Sequence, residues 1–326
     1  LRRPPPSLFV LLLAGLAFAA IAAAVCIGSV GIDLRALWAG HGEDQALARA
    51  LVFDLRLPRA LTAFATGATL ALAGVLMQVL LRNPLADPYI LGVSGGAAVA
   101  ALAAMLAGLA GWCIDLGAAV GALGATLLVF GLAHGHGAWT PTRLLLTGVV
   151  IAAGFGALVS LMLALGPESR LRGMVFWLMG DLSITPAPMR VLIVFVPILV
   201  LALLAARHLN LLARGELEAQ SLGLPIRRAR AAIFVAGSLL TAAAVTTAGS
   251  IGFVGLVTPH LVRIVAGSNH RVVVPASALL GGTLLVLADL LARTLVAPRQ
   301  LPVGALTALI GVPLFLVLVR RQRSVA

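Results

Sequence analysis

The sequence contains no lysine. All 23 basic residues are arginine, set against 11 acids, for a net charge of +12. A phosphate-cradling loop of the form G-x-x-x-x-G-K-[ST] needs its lysine to reach the nucleotide phosphates, so this chain does not bind ATP in that way. A Schiff-base lysine is excluded for the same reason. Charge of either sign is scarce, at 10% of residues, where soluble domains carry about a quarter. Only two cysteines occur, Cys26 and Cys113, far apart and in apolar surroundings. Neither belongs to a C-x-x-C or zinc pattern, and both are expected to be small buried hydrophobes. No paired-Asp, H-E-x-x-H or Ser/His constellation lies within the apolar runs, which speaks against a membrane-embedded enzyme.

What fills the space is apolar. At 61% hydrophobic residues and a mean hydropathy of +1.10, the chain has more apolar surface than one globular core can hide, so the bilayer is its expected solvent. Apolar runs fall at about 8–30, 60–81, 90–110, 112–133, 144–166, 189–206, 231–248, 251–266, 272–293 and 303–319. They predict an all-α polytopic membrane protein of one domain, 1–326, with about ten transmembrane helices. The run at 8–30 is too long for a signal-peptide core and reads as a first span with its RRPPP end inside. Pro259 interrupts the short run at 251–266, and a short interfacial or re-entrant helix is expected around 173–180. Ten spans put both termini on one side. Fourteen Arg and three acids then face that side, against nine Arg and eight acids on the other. This asymmetry places both termini in the cytoplasm. It also explains the positive charge without invoking nucleic acid.

The stretch ARGELEAQSLGLPIRRAR, residues 213 to 230, carries six charges. Burying six such groups at mid-bilayer costs on the order of 18 kcal/mol, so the stretch lies outside the hydrocarbon, on the cytoplasmic side by the charge count. Good helix formers run from Leu211 to Leu222, broken only by Gly215. Gly223 suits a left-handed helix stop, and Pro225 suits the first turn of the next helix. Two short helices joined at a glycine form a knob, which is either a solvated topological anchor or a docking element.

The segment GELEAQSLGLP (215–225) resembles the cytoplasmic coupling loop of FecCD-type permeases, the type II ABC importers of cobalamin, heme and ferric siderophores. More of that family's motifs occur in family order over more than 300 residues. They are RLPR at 56–59, NPLADP at 83–88, LGVSGGA at 91–97, RLLLTG at 143–148, WLMG at 177–180, GSIGFVGLVTPHLVR at 249–263, ADLLAR at 288–293 and LPVGALTALIGVP at 301–313. The resemblance implies a multi-pass subunit of the bacterial inner membrane that works as a homodimer. A dimer of ATP-binding subunits would dock inside and a periplasmic solute-binding protein outside. ATP and magnesium would sit on the partner ATPase, and this chain would bind no cofactor or metal.

Carried over position by position, the resemblance assigns ATPase coupling to Gly215, Glu216, Ala219, Leu222 and Gly223 within a loop spanning 211–227. Leu217 and Leu222 can anchor in a partner pocket, and Glu216 and Glu218 can meet partner cations. Arg214 stands where the family commonly has an apolar residue and has no assigned role. Arg56, Arg59 and Arg293 match external arginines that receive acids of the binding protein. Interfacial snorkelling is the plainer reading of the first two, and an i,i+4 pair with Asp289 that of the third. Asn83, Leu85, Thr140, Pro141 and Thr142 fall where the family narrows its cytoplasmic exit. The vitamin B12 branch has Ser-Thr-Ser where this chain has Thr-Pro-Thr, and a helix-starting turn is the plainer reading there. His134 and His136 read as a polar turn rather than heme ligands, His260 as a structural hydrogen-bonding group, and His41 lies on an outer loop. The expected cargo is heme, with cobalamin or a ferric siderophore as the alternatives. An ion-coupled transporter would carry mid-membrane carboxylates, whereas Asp87, Asp115 and Asp289 fall near the predicted ends of spans.

Overall fold

The computed structural model describes residues 5–29, 31, 43–133, 140–182 and 187–323. His41, His134 and His136 lie outside the described residues. Within them the chain is helical and carries no strand. The order is α1 (Pro6–Cys26), α2 (Glu43–Arg49), a π-helical segment Ala50–Arg56, α3 (Leu57–Leu80), a 3-10 turn Pro88–Leu91, α4 (Val93–Leu106), α5 (Gly111–Ala133) and α6 (Pro141–Leu165). It continues through α7 (Glu168–Met179), α8 (Pro188–Leu204), α9 (Ala206–Arg214), α10 (Glu216–Ser221), α11 (Ile226–Ala248), α12 (Val254–Ala266), α13 (His270–Thr294) and α14 (Val303–Arg323).

Every apolar run coincides with a helix. Among the described residues six helical stretches are long and apolar enough to cross a membrane, and a seventh is if α8 and α9, bent by 67° at their break, count as one span. α4, α12 and the 303–316 part of α14 are shorter apolar helices. Three expectations change. The helix that ends at Leu80 begins at Asp44 rather than near residue 60. Arg49, Asp54, Arg56 and Arg59 hide this extension from a hydropathy reading, because backbone hydrogen bonding does not require apolar side chains. Pro259 lies inside α12 instead of breaking it. That helix is short because 249–253 is not helical, with Gly249 at φ +68° and Phe253 at φ +70°. Cys26 is exposed and Cys113 half-buried, so neither is the core residue its apolar neighbours suggested.

α3 is the axis of the molecule. From Ala60 to Leu80 nearly every residue is buried, and the helix packs against α13, α11, α12 and α8. An all-round apolar helix belongs at such a centre. The hydroxyls of Thr62 and Thr69 avoid the cost of burial by donating to the carbonyls of Pro58 and Ala65, at 2.8 and 2.7 Å. Close packing relies on missing side chains: a Cβ on Gly74 would lie 1.8 Å from the Gly255 carbonyl oxygen. Small residues serve this purpose in lipid, where no hydrophobic force draws helices together. α6 is the opposite case. Only Leu144 and Gly148 are buried along its 25 residues.

Several of the motifs meet at one junction. Val303 N–H donates to the Gly180 carbonyl at 3.1 Å and Asp181 N–H to the Ala248 carbonyl at 3.0 Å. Ile251 N–H donates to the Tyr89 phenol oxygen at 3.1 Å, and the Ser94 and Ser250 hydroxyls bond at 3.0 Å. The WLMG, GSIGF, LPVGA and 88–94 segments thus satisfy one another's polar groups where the helices break off, as non-helical backbone in a membrane protein requires.

Candidate functional site

The charged segment folds as two short helices hinged at glycine. α9 is amphipathic and buries Ala206, Leu209 and Leu212. It ends at Arg214, whose positive charge suits the negative end of the helix dipole. This gives the otherwise unassigned arginine a local reason. Gly215 is next, at φ +151°, a backbone state reserved for glycine. α10 is six residues long and ends in a glycine stop. Gly223, at φ +80°, donates to the Gln220 carbonyl at 2.9 Å, while Leu224 N–H reaches back to the Ala219 carbonyl at 3.0 Å. These bonds satisfy the carbonyls a helix end leaves open.

Ala219 is fully buried beneath this knob, whereas Leu217 is 87% exposed and Leu222 67%. Two large apolar side chains therefore stand out from a charged loop. The two acids differ. Glu218 is exposed. Glu216 turns inward, where its carboxylate pairs with Arg82 Nη2 at 2.9 Å and with Arg230 Nη2. α9 is pinned separately: the Asn210 side-chain oxygen accepts from the His270 backbone N–H at 2.8 Å, and its amide donates to the Asn269 side chain at 3.1 Å.

Arg82 leads into the loop that holds Asn83 and Leu85. Arg82 has φ +49°, an uncommon state for a residue with a side chain. Asn83 organises the turn beyond it: its side-chain oxygen accepts the Leu85 N–H at 2.9 Å and its carbonyl accepts the Ala86 N–H at 3.1 Å. Asp87 caps the 3-10 turn by accepting the Tyr89 N–H at 2.8 Å. Burial lifts its carboxyl to about 6, against the opposing pull of that N–H. Thr140 caps α6 through its hydroxyl, which accepts the Arg143 N–H at 3.3 Å, with Pro141 and Thr142 opening the helix. This local geometry is a helix-starting turn.

Arg56, Arg59 and Arg293 converge, but on internal partners. Arg56 Nη1 donates to the carbonyls of Val25 and Cys26 at 3.1 and 2.9 Å. Arg293 Nη2 donates to that of Ala24 at 2.8 Å. Together they cap the end of α1. Arg59 makes a forked contact with Asp289, Nη2 to Oδ1 at 2.8 Å and Nε to Oδ2 at 3.1 Å, and donates to the Gln300 side chain at 3.1 Å. Arg293 Nε lies 3.4 Å from the same carboxylate, the i,i+4 pair. The three arginines are 6%, 9% and 7% exposed, so they are not snorkelling charges, and Asp289 has no spare negative charge for an ion to use. Asp115 is likewise paired, with Arg190 at 2.5 Å. His260 is buried, edge-on to Phe315. Among the described residues no group of three or more His, Cys, Asp or Glu could hold a metal ion.

The family model described as the FecCD transport family matches residues 14–321. The chain belongs to the FecCD transport family. It is therefore a multi-pass permease of the type found in ABC importers, from a family of transport subunits that are generally not catalytic themselves. Relatives of this FecCD chain include the hemin transport system permease protein HmuU of Yersinia pestis, 41% identical over 309 residues, covering 91% of each chain. The vitamin B12 import system permease protein BtuC of Klebsiella pneumoniae is 38% identical over 292 residues, 88% of each chain. A solved structure of an inward-facing conformation of a metal-chelate type ABC transporter superposes with a TM-score of 0.83 at 33% identity, over 97% of this chain and 99% of that one. Arg82, Arg230, Asn210 and Gln300, which tie the FecCD elements together, stand outside the family motifs; only the i,i+4 spacing of Asp289 and Arg293 signalled any of this in advance.

Proposed function

We propose that this chain is the membrane-spanning subunit of an ATP-driven importer that moves heme from periplasm to cytoplasm. In this reading it works as a homodimer in the bacterial inner membrane. ATP-binding subunits dock on α9 and α10, and a periplasmic solute-binding protein docks at the Arg56, Arg59 and Arg293 end. The observation that carries it is the glycine-hinged knob: Leu217 and Leu222 exposed on a helix whose other face is anchored to the permease body. Exposed anchors of this kind, rimmed by charge, suit a soluble partner's pocket. The exposed apolar length of α6 supports a second copy packed against it. Asn83, Leu85 and Thr140 to Thr142 belong to the cytoplasmic gate in this scheme. Heme is favoured over cobalamin and ferric siderophores by overall resemblance, with the hemin permease among the relatives.

The test is uptake into proteoliposomes with and without ATP and the cognate ATP-binding subunit, with heme, cobalamin and a ferric siderophore offered in turn on the binding protein. ATP-dependent heme uptake is expected. Uptake driven by an ion gradient alone overturns the importer reading, and ATP-driven uptake of cobalamin or siderophore but not heme overturns the cargo.

A further inference from the structure

We propose that Glu216 is a strut: it passes displacement of α10 to the loop at 82–87 and to the start of α11, and it is not a contact for the ATP-binding subunit. This rests on α9 and α10 being the ATPase dock.

Several features of one small region carry the assignment. Glu216 is the first residue of α10, directly after the Gly215 hinge, so any tilt of α10 moves it. Its carboxylate bridges two separate elements, through Arg82 beyond the end of α3 and Arg230 in the second turn of α11. Val79, Leu80, Leu212 and Ile233 close around the same small void as these three charged groups, so the link is backed by apolar packing. Arg82 transmits rather than absorbs. Its N–H bonds to the Val79 carbonyl and the Asn83 N–H to the Gln78 carbonyl, at 3.3 and 3.2 Å. The left-handed backbone at Arg82, a state that residues with a side chain avoid, is held in place by these bonds. Gln78 in turn donates to the Leu256 carbonyl of α12 at 3.2 Å and receives Arg263 on its side-chain oxygen.

Charge argues the same way. One carboxylate with two guanidiniums is a net positive cluster, which repels a partner's cation. Glu218, exposed two residues further on, is the acid left to meet one. The pair is half-exposed, with 30% of the Glu216 side chain and 43% of that of Arg82 accessible. Such contacts add little to stability and can be displaced and remade within a cycle.

The experiment uses the complete transporter in proteoliposomes, with ATP hydrolysis and heme uptake measured on one preparation, and cobalamin as the second probe. Glu216→Gln and Arg82→Gln are expected to keep co-purification with the ATP-binding subunit and ATP hydrolysis within about twofold of wild type. The number of molecules carried per ATP is expected to fall by about tenfold. The double variant should be no worse than either single one, because both remove the same link, and Glu216→Asp should recover part of the ratio. Loss of co-purification in Glu216→Gln would place the carboxylate in the dock and overturn the proposal, as would an unchanged ratio or additive losses. Should Glu216→Gln fail to fold, Arg82→Gln carries the same test. A wild-type permease that does not bind the ATP-binding subunit refutes the importer reading itself, and the strut with it; failure confined to the variants refutes only the strut.

Discussion

Two ion clusters sit at opposite ends of α3, built from the same parts and made to different specifications. Arg59 near its start and Arg293 of α13 share the carboxylate of Asp289, which is 1% exposed. Arg82 just past its end and Arg230 of α11 share Glu216, which keeps 30% of its side chain accessible. Each has two arginines to one acid, and each joins elements far apart in sequence. Burial separates the shared acids and one arginine: Arg82 is 43% accessible, although Arg230, at 13%, is nearly as covered as Arg59 at 11%. Removing one member of a buried cluster strands the others without water, whereas a half-exposed cluster exchanges protein partners for solvent at little cost. The cluster at the start of α3, with the end of α1 tied to it through Arg56 and Arg293, reads as a fastening. The one past its end reads as a link that is carried along when α10 moves.

The contrast can be broken by measurement. The largest effect is expected for Asp289→Ala, which leaves two buried guanidiniums sharing no counter-charge and should cost about 3–5 kcal/mol. Thermal unfolding in nanodiscs checks it, and a loss similar to that of Glu216→Gln would erase the distinction. An intermediate effect is expected at Asp87, whose carboxyl burial lifts to about 6. A raised acid favours the folded state when protonated. That contribution is full below the unfolded carboxylate range near 4 and is lost as pH rises through about 6. Asp87→Asn should therefore gain about 2–3 kcal/mol relative to wild type at neutral pH and little near pH 4; a pH-independent difference would show that the carboxyl is not lifted. The smallest effect is the stability change for Glu216→Gln, expected within about 1 kcal/mol and shrinking as salt is raised. The Asp289→Ala deficit should be nearly insensitive to salt. Equal salt dependence of the two would contradict the assignment of one as buried and the other as half-exposed.

Much of the scaffold was legible because membrane helices are written locally. Each apolar run became a helix, and Gly215 and Gly223 marked the two breaks of the charged segment where the backbone takes conformations other residues avoid. The Asp289 and Arg293 pair was legible for the same reason, being one helical turn apart. Arg59 finds Asp289 across 230 residues, and nothing local names that partner. Hydropathy also fails to say which apolar face meets protein and which meets lipid. α6 is more apolar than the helix that contains α3, yet it is almost wholly uncovered while α3 is almost wholly buried. A property that suits both solvents cannot tell them apart. The inward turn of Glu216 was hidden likewise, since a helix of six residues offers no periodicity to fix its faces.

Tyr89 is the only tyrosine in the chain, and it stands at the junction where the broken helices meet, its phenol oxygen holding the Ile251 amide. One isotopically labelled amino acid therefore gives one resonance, free of overlap, placed by nature rather than by engineering. Its chemical shift and ring-flip rate would record whether this junction tightens or loosens at each stage of a transport cycle.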